Sequence, residues 1–425
     1  MIKDTNNTYK VAVIGAGQAG LATSYFLQKA GIKHIVLEEN IIGHSWISQR
    51  WDSFKMNTPN WMTELPGMPL SQTIRENFMD KDEFVEYLTN YSQQFELPIL
   101  EKYKVVNIKK QGSLFVIITE NNGKTQEIHA DTVVIASGIM NKIKFPTIAE
   151  KIPDNIVQLH ASQYKNPNQL LKGNILIVGG GQSGCQIAEE LALAGRKVYL
   201  ASSKVSRAPR RYKGRDIMEW LNLMGIQDIS TQQLRENPNL NATQPQSSGV
   251  GILGHTVSYQ SLNKLGATIF GTFKNIVDGI FYFADNAKEN IRFADDTSRT
   301  IKQNIDTYLK KHPELETGIE EEDFADLSDI DCISASKHNK INALESGFTS
   351  IIWATGFGYD FSYLESSLLD DKGIPKHYDG KTSLENLYCI GFPGLRKKKS
   401  GLVFGVKEDA EVIVKRIISK IENTF

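Results

Sequence analysis

One pattern, present twice, limits what this chain can fold into more than any other feature. The first copy reads Val11-Ala-Val-Ile-Gly15-Ala-Gly17-Gln-Ala-Gly20 and the second Ile175-Leu-Ile-Val-Gly179-Gly-Gly181-Gln-Ser-Gly184. Each is a short apolar strand running into G-x-G-x-x-G and then into a helix-forming segment, LATSYFLQKAG or CQIAEELALAG. The first glycine permits a tight turn, the second lets backbone approach a pyrophosphate, and the third lets helix and strand pack closely. The helix N-terminus then turns free N–H groups toward the phosphates. One such fingerprint is weak. Two in strand–turn–helix context predict an α/β chain with two Rossmann-like dinucleotide-binding domains.

The copies align without a gap, so Glu38 in the first matches Ser202 in the second. A carboxylate at the end of the second strand accepts hydrogen bonds from a ribose hydroxyl, which suits Glu38 to the adenosine of FAD or NAD. Ser202 carries no charge, and Arg207, Arg210 and Arg211 follow it. That combination suits the 2′-phosphate of NADPH, with Gly179, Gly181, Gln182, Ser183 and Gly184 at its phosphates. A solvated loop is the bland alternative for the arginines. The expected ligands are therefore unlike: FAD at the first copy, NADPH at the second.

The length of 425 residues allows two or three domains. The expected division gives residues 1–165 and 346–425 to a discontinuous FAD-binding domain. Residues 166–345 form an NADPH-binding domain with a helical insertion. A formal net charge of −1 gives no reason to expect nucleic acid or an anionic membrane as partner. The start, MIKDTNNTYK, is polar, and no apolar run approaches the roughly 18 residues of a membrane span. Cys185, Cys332 and Cys389 have neither C-x-x-C nor metal spacing, so the reading is a cytoplasmic protein without a redox dithiol or a metal.

Between the copies lie Gly43-His44-Ser45-Trp46 and Trp51-Asp-Ser53-Phe-Lys-Met-Asn57-Thr58-Pro-Asn60-Trp61. This aromatic and amide-rich tract is too irregular for helix or strand and reads as a structured loop. It could wall a flavin ring or cover a satellite apolar cluster. Helices are expected over 81–95, 296–312 and 406–424, the second capped by Asp296 or Ser298. An antiparallel meander is expected over 103–130, turning at Asn121-Asn122-Gly123. Apolar strands end in Ala136-Ser137-Gly138 and Ala354-Thr355-Gly356, where small residues let backbone pass a cofactor. The strand to Gly391 leads to Ser400-Gly401, where a helix could aim N–H groups at a flavin carbonyl or pyrophosphate. His160 reads as a hydrogen-bonded linker residue rather than a catalyst, and His255 as a surface residue before a substrate contact. The acids from Glu314 to Asp331 and the run Arg396–Lys399 read most simply as solvated segments.

Taken together, GAGQAG, GHSW, WDSFKMNTPN, ASG, GGGQSG, ATGF and IGF resemble the class B flavin-dependent monooxygenases over most of the chain. The resemblance implies FAD and NADPH as cofactors, with a small organic substrate and O₂ as partners. NADPH would reduce the flavin, and a C4a-hydroperoxyflavin would pass one oxygen to a nucleophilic atom. It also implies an asparagine over the flavin: Asn57 matches best, and Asn60 is the alternative. The Baeyer–Villiger fingerprint F-x-G-x-x-x-H keeps only its histidine here, at His160, so nitrogen or sulfur is the expected target. A flavoprotein reductase or a nucleotide-sensing flavoprotein would carry both fingerprints too, and a homodimer is compatible with the sequence.

Overall fold

The two apolar runs become the central strands of two separate sheets. The computed structural model describes residues 8–237, 246–251, 254–320, 322–333 and 339–423. The chain start (1–7), the middle of the polar stretch (238–245) and Ile252-Leu253 of the glycine-rich loop lie outside them.

In the first domain β1 (Thr8–Ile14) leads through the glycine turn into α1 (Gln18–Lys29) and β2 (His34–Leu37). Then come α2 (Lys81–Gln94), β3 (Ile99–Leu100), β4 (Lys104–Gln111), β5 (Leu114–Asn121) and β6 (Lys124–Ile135). α2 starts on a capping box between Asp80 and Glu83 and buries Phe84, Tyr87, Leu88 and Tyr91 at helical spacing. Asn122 and Gly123, with φ of 48° and 74°, make the tight turn between β5 and β6. The meander's last strand and the apolar run after it are one element. β6 pairs antiparallel with β5 over its first half and parallel with β1 over its second. The sheet order is β3-β2-β1-β6-β5-β4.

The second domain holds β7 (Val157–His160), β8 (Asn174–Val178), α3 (Gln182–Leu193), β9 (Val198–Ala201), β10 (Thr268–Phe270), α4 (Ala287–Leu309) and β11 (Phe348–Trp353). Its parallel sheet runs β10-β9-β8-β11-β7. Short helices Ile217–Leu223 and Thr231–Glu236 form part of the insertion. The chain then returns to the first sheet as β12 (Leu387–Cys389), parallel to β6, and closes with α5 (Val403–Glu422). The first sheet thus contains the order β3-β2-β1-β6-β12, the same plan as the second.

Two expectations move. β7 and β11 belong to the second sheet, so the crossings lie near 143 and 357 rather than at 165 and 346. Ile351, Ile352 and Trp353 have no exposed surface, and they need β8 and β7 on either side of them. The crossing segments Lys142–Ile143 and Phe357–Gly358 pair with each other antiparallel. Second, α4 begins about two and a half turns before Asp296, at Ala287. Its buried face includes Asn290, Asp295 and Ser298, so the apolar period that marks its second half fades in the first. No helix among the described residues is long and apolar enough to cross a membrane, and no group of their side chains could hold a metal ion.

Candidate active site

The three glycines of each copy have different structural reasons. Gly15 and Gly179 take φ of 105° and 112°, and a Cβ there would lie 2.7 Å from Ala136 O and 2.5 Å from Ala354 O. At Gly20 and Gly184 a Cβ would stand 1.9 Å from the carbonyl oxygens of Gly15 and Gly179. Gly17 and Gly181 differ: their φ of −80° and −76° are ordinary, and nothing lies within 4 Å of an added Cβ. A side chain there would fill the space before the N-termini of α1 and α3, where a pyrophosphate would approach the backbone. Both cradles therefore fit a dinucleotide.

Beside the first cradle, Glu38 accepts from Ala16 N at 2.8 Å and Asn40 N at 2.9 Å. Burial pushes its carboxyl upward, partly offset by those two donors. Each oxygen keeps a lone pair for a ribose. Gly43 (φ 68°) donates to Ala16 O and starts the short helix bearing exposed Ser45 and half-buried Trp46. Ser137 shares a hydrogen bond with the Tyr363 hydroxyl at 2.8 Å, and Gly138 turns with φ of 73°. Gly391 faces Ala19 of α1, where a Cβ would be 2.9 Å from that of Ala19. The Ser400 hydroxyl accepts from Arg396 N and Lys397 N, and Gly401 (φ 89°) packs on Pro393, so both shape the entry to α5.

The second cradle departs from expectation beyond its glycines. Ser183 is exposed in the first turn of α3. Ser202 is buried, donating to Phe270 O at 2.6 Å and accepting from Asn290. Its neighbour Ser203 instead accepts from Gly180 N at 3.1 Å, the bond that Glu38 makes with Ala16. Arg207 is 3% exposed and paired with Asp295 at 2.7 Å and Asp326 at 2.8 Å. Arg210 is 1% exposed, doubly bonded to Asp216, and donates to Asn57 O at 2.9 Å. Neither guanidinium is free to meet a phosphate, because buried carboxylates already hold both. Arg211 is exposed and bonds Gly214 O. Exposed Lys204, over the Phe293 ring at 4.8 Å, is the first cation after Ser203.

Ala354 puts its carbonyl against Gly179, while exposed Thr355 and Gly356 (φ 84°) follow as Ser137 and Gly138 follow Ala136. His160 is buried, bonded to Gly356 O at 2.9 Å and Ser162 Oγ at 2.8 Å. His255 pairs with buried Glu189 at 2.5 Å. The acid run and the Arg396–Lys399 run are only partly solvated. Asp326 binds Arg207 and Lys302 inside the domain, and buried Lys399 binds Asp228 at 3.0 Å and also Glu408.

The aromatic tract connects the cradles. Trp46 Nε1–H donates to Gln18 Oε1 at 3.2 Å, directly after Gly17. At the other end Gln182 Nε2, directly after Gly181, donates to Asn57 Oδ1 at 3.4 Å. Ser53 donates to Glu190 at 2.9 Å, so the tract lies along α3. Trp46 packs edge-on to Phe84 and Trp51 edge-on to Phe54, while Trp61 meets Phe404 at the start of α5. Asn57 and Thr58 are half-buried. Asn60 is 3% exposed and spends its amide on Ile74 O and Met79 N, bracing its own loop. Of the two asparagines, only Asn57 lies between the cradles. Gln18, Gln186, Ser203 and Lys204 had no place among the sequence candidates; the identical position of Gln18 and Gln182 in the two fingerprints was a signal for the first.

A family model for pyridine nucleotide-disulphide oxidoreductases matches residues 12–244. An uncharacterized oxidoreductase, CzcO-like, of Geobacillus kaustophilus is 32% identical over 96% of this chain and 98% of its own length. A probable indole-3-pyruvate monooxygenase, YUCCA10, of Arabidopsis thaliana is 23% identical over 97% of this chain and 99% of its own. Among solved structures, a flavin monooxygenase from Stenotrophomonas maltophilia (a double mutant) superposes with a TM-score of 0.66 at 18% identity, covering 98% of this chain and 99% of that one. A bacillithiol disulfide reductase from Bacillus cereus gives 0.60 at 15% identity, covering 97% of this chain and 99% of that one. The fold is thus common to oxygenating and reducing enzymes. With both cradles, the tract between them and these relatives, the chain belongs to the pyridine nucleotide-disulphide oxidoreductase family, as a bacterial-type class B flavin-dependent monooxygenase.

Proposed function

We propose that this enzyme takes FAD at the first cradle and NADPH at the second, and inserts one atom of O₂ into a nitrogen or sulfur of a small organic substrate. When bound, the flavin supplies the redox chemistry: it accepts hydride from NADPH and activates O₂. The balance is substrate, NADPH, H⁺ and O₂ to oxygenated substrate, NADP⁺ and water. The observation that carries the reading is the tract from Trp46 to Asn57, bonded at one end to Gln18 of the first cradle and at the other to Gln182 of the second.

Each protein group has a limited task. Glu38 holds the FAD ribose, and the backbone at Gly17 receives its pyrophosphate. The N-terminus of α3, with Ser183, receives the NADPH phosphates. Ser203 and Lys204 take the place at the 2′-phosphate expected of Ser202, Arg207 and Arg210, with exposed Arg211 still a candidate; a serine there does not repel the phosphate and a lysine attracts it. Asn57 stands where the reactive ends of two dinucleotides meet, and its amide offers hydrogen bonds without an acidic proton. Trp46, Phe54 and Phe84 pack on one another beside the first cradle and exclude water there.

Two features support oxygen insertion at a heteroatom over the alternatives. Buried Cys185 and Cys389 have thiols pushed up to about 12 by desolvation, which makes them poor nucleophiles for disulfide exchange. His160, the one residue kept from the Baeyer–Villiger fingerprint, has both ring nitrogens bonded within the fold. The test is stopped-flow oxidation of enzyme reduced anaerobically with NADPH. An oxygenase passes through a transient spectrum unlike reduced or oxidised flavin, lengthened by NADP⁺. A single-step return to oxidised flavin identifies a reductase or oxidase instead.

A further inference from the structure

Asn57 is held by the second domain at two points, and those contacts decide which way its carboxamide faces. The decision starts at Gln182. Its Oε1 accepts from Ser248 N at 2.9 Å and its Nε2 donates to Gly249 O at 3.0 Å. A backbone N–H can only donate and a backbone carbonyl only accept, so the Gln182 amide has one orientation. Its NH₂ therefore also faces Asn57, and the Asn57 atom 3.4 Å away must be the oxygen. Gln186, one turn further along α3 and 3% exposed, directs its own Nε2 at the same oxygen, also at 3.4 Å. Both contacts are long; Gln186 Oε1 has no partner among the described residues, so the sign is set by Gln182 and Gln186 can follow it. A reversed Asn57 would set its NH₂ against the donor that Gln182 cannot turn away.

The main chain is fixed as well. Arg210 donates from Nη1 to Asn57 O at 2.9 Å, while Nε and Nη2 are held by Asp216 and the guanidinium lies over the Phe78 ring at 4.9 Å. Asp216 is locked in turn by capping the helix Ile217–Leu223.

We propose that Gln182, Gln186 and Arg210 are positioning residues that turn the Asn57 NH₂ outward, so that Asn57 serves the reaction as a hydrogen-bond donor. The group beside it is consequently an acceptor: a carbonyl or ring nitrogen of a cofactor, or a reduced oxygen species. Among the described residues, no hydrogen bond from Asn57 Nδ2 competes for that donor. The inference rests on the reading that Asn57 lies beside the reacting centre, and the test separates the two.

Three variants of the FAD-loaded enzyme suffice: Asn57→Ala, Asn57→Asp and Gln186→Met. The Asp variant keeps the shape and can accept from both glutamines, but as a carboxylate it donates nothing. Two quantities are measured: the fraction of NADPH electrons released as hydrogen peroxide, and the flavin absorbance change when NADP⁺ binds oxidised enzyme. Asn57→Asp should match Asn57→Ala, each losing coupling by about tenfold. Gln186→Met should lose coupling by about twofold to fivefold while retaining FAD, and both Asn57→Asp and Gln186→Met should alter the NADP⁺-induced difference spectrum. If Asn57→Ala uncouples but Asn57→Asp and Gln186→Met behave as wild type, the donor assignment is wrong and the reading of the site stands. If Asn57→Ala itself stays coupled, Asn57 is not beside the reacting centre.

Discussion

Replacing Gly17 by valine separates what the first cradle does for the fold from what it does for a ligand. The residue has extended backbone (φ −80°, ψ −175°), and no atom lies within 4 Å of a Cβ built there. Valine is a poorer N-cap than glycine, so the fold should lose about 1 kcal/mol. The ligand loses far more, because the isopropyl group stands where the pyrophosphate must approach the N–H groups of α1. Forfeiting two charge-assisted hydrogen bonds at roughly 1.5–3 kcal/mol each weakens FAD by about two to four orders of magnitude. The assay is flavin absorbance per chain after gel filtration, with a circular dichroism melt as the folding control. Gly15→Ala is the contrast, since its φ of 105° and the 2.7 Å approach to Ala136 O make it a folding defect first. A folded Gly17→Val protein with a full complement of FAD would refute the cradle assignment.

Other perturbations follow from the same geometry. Gly181→Val should keep FAD but lose NADPH, seen as a yellow protein that NADPH reduces at least about a hundredfold less efficiently. Arg207→Met leaves buried Asp295 without a cation and Asp326 with Lys302 alone, and should cost about 3–5 kcal/mol in urea unfolding, while the preference for NADPH over NADH stays unchanged. Lys204→Glu should do the reverse, lowering that preference by about tenfold at little cost in stability; an unchanged ratio removes Lys204 from the 2′-phosphate. Asp409, buried in α5 near Arg396, has its carboxyl raised to about 6 by desolvation. Its folded value exceeds its unfolded one, so the stabilisation is fully present below about pH 4 and lost as pH rises through 6. Wild type should therefore lose about 3 kcal/mol more than Asp409→Asn between pH 4 and 7, and parallel pH–stability curves would contradict that assignment.

What the sequence revealed and what it hid have physical reasons. The cradles were legible because glycine is dictated locally: Gly15 by its positive φ, Gly20 by the carbonyl a Cβ would strike. β1 and β8 were legible because strands buried on both faces read as continuous apolar runs. The arginines were not. Arg207 and Arg210 look like a phosphate clamp until Asp216, Asp295 and Asp326 fold against them, and Asp326 sat in a run that reads as a solvated face. Spacing gave Ser202 correctly as the backbone match to Glu38, but the chain turns so that Ser203 carries the equivalent side-chain bond. Asn57 and Asn60 are three residues apart in one loop, and only the fold reveals that Asn60 is spent on Ile74 and Met79. Gln186 resembles any polar helix residue until α3 is seen to carry the tract on that face.

The central claim is that oxygen from O₂ ends in a substrate. The direct measurement is an NADPH-driven turnover under ¹⁸O₂ with a panel of amines, thioethers and thiols, scored by product mass. The account predicts at least one product carrying a single ¹⁸O atom, formed in step with NADPH consumption. NADPH consumed with all its electrons recovered as labelled hydrogen peroxide, and no labelled product from any nitrogen or sulfur compound, would contradict it.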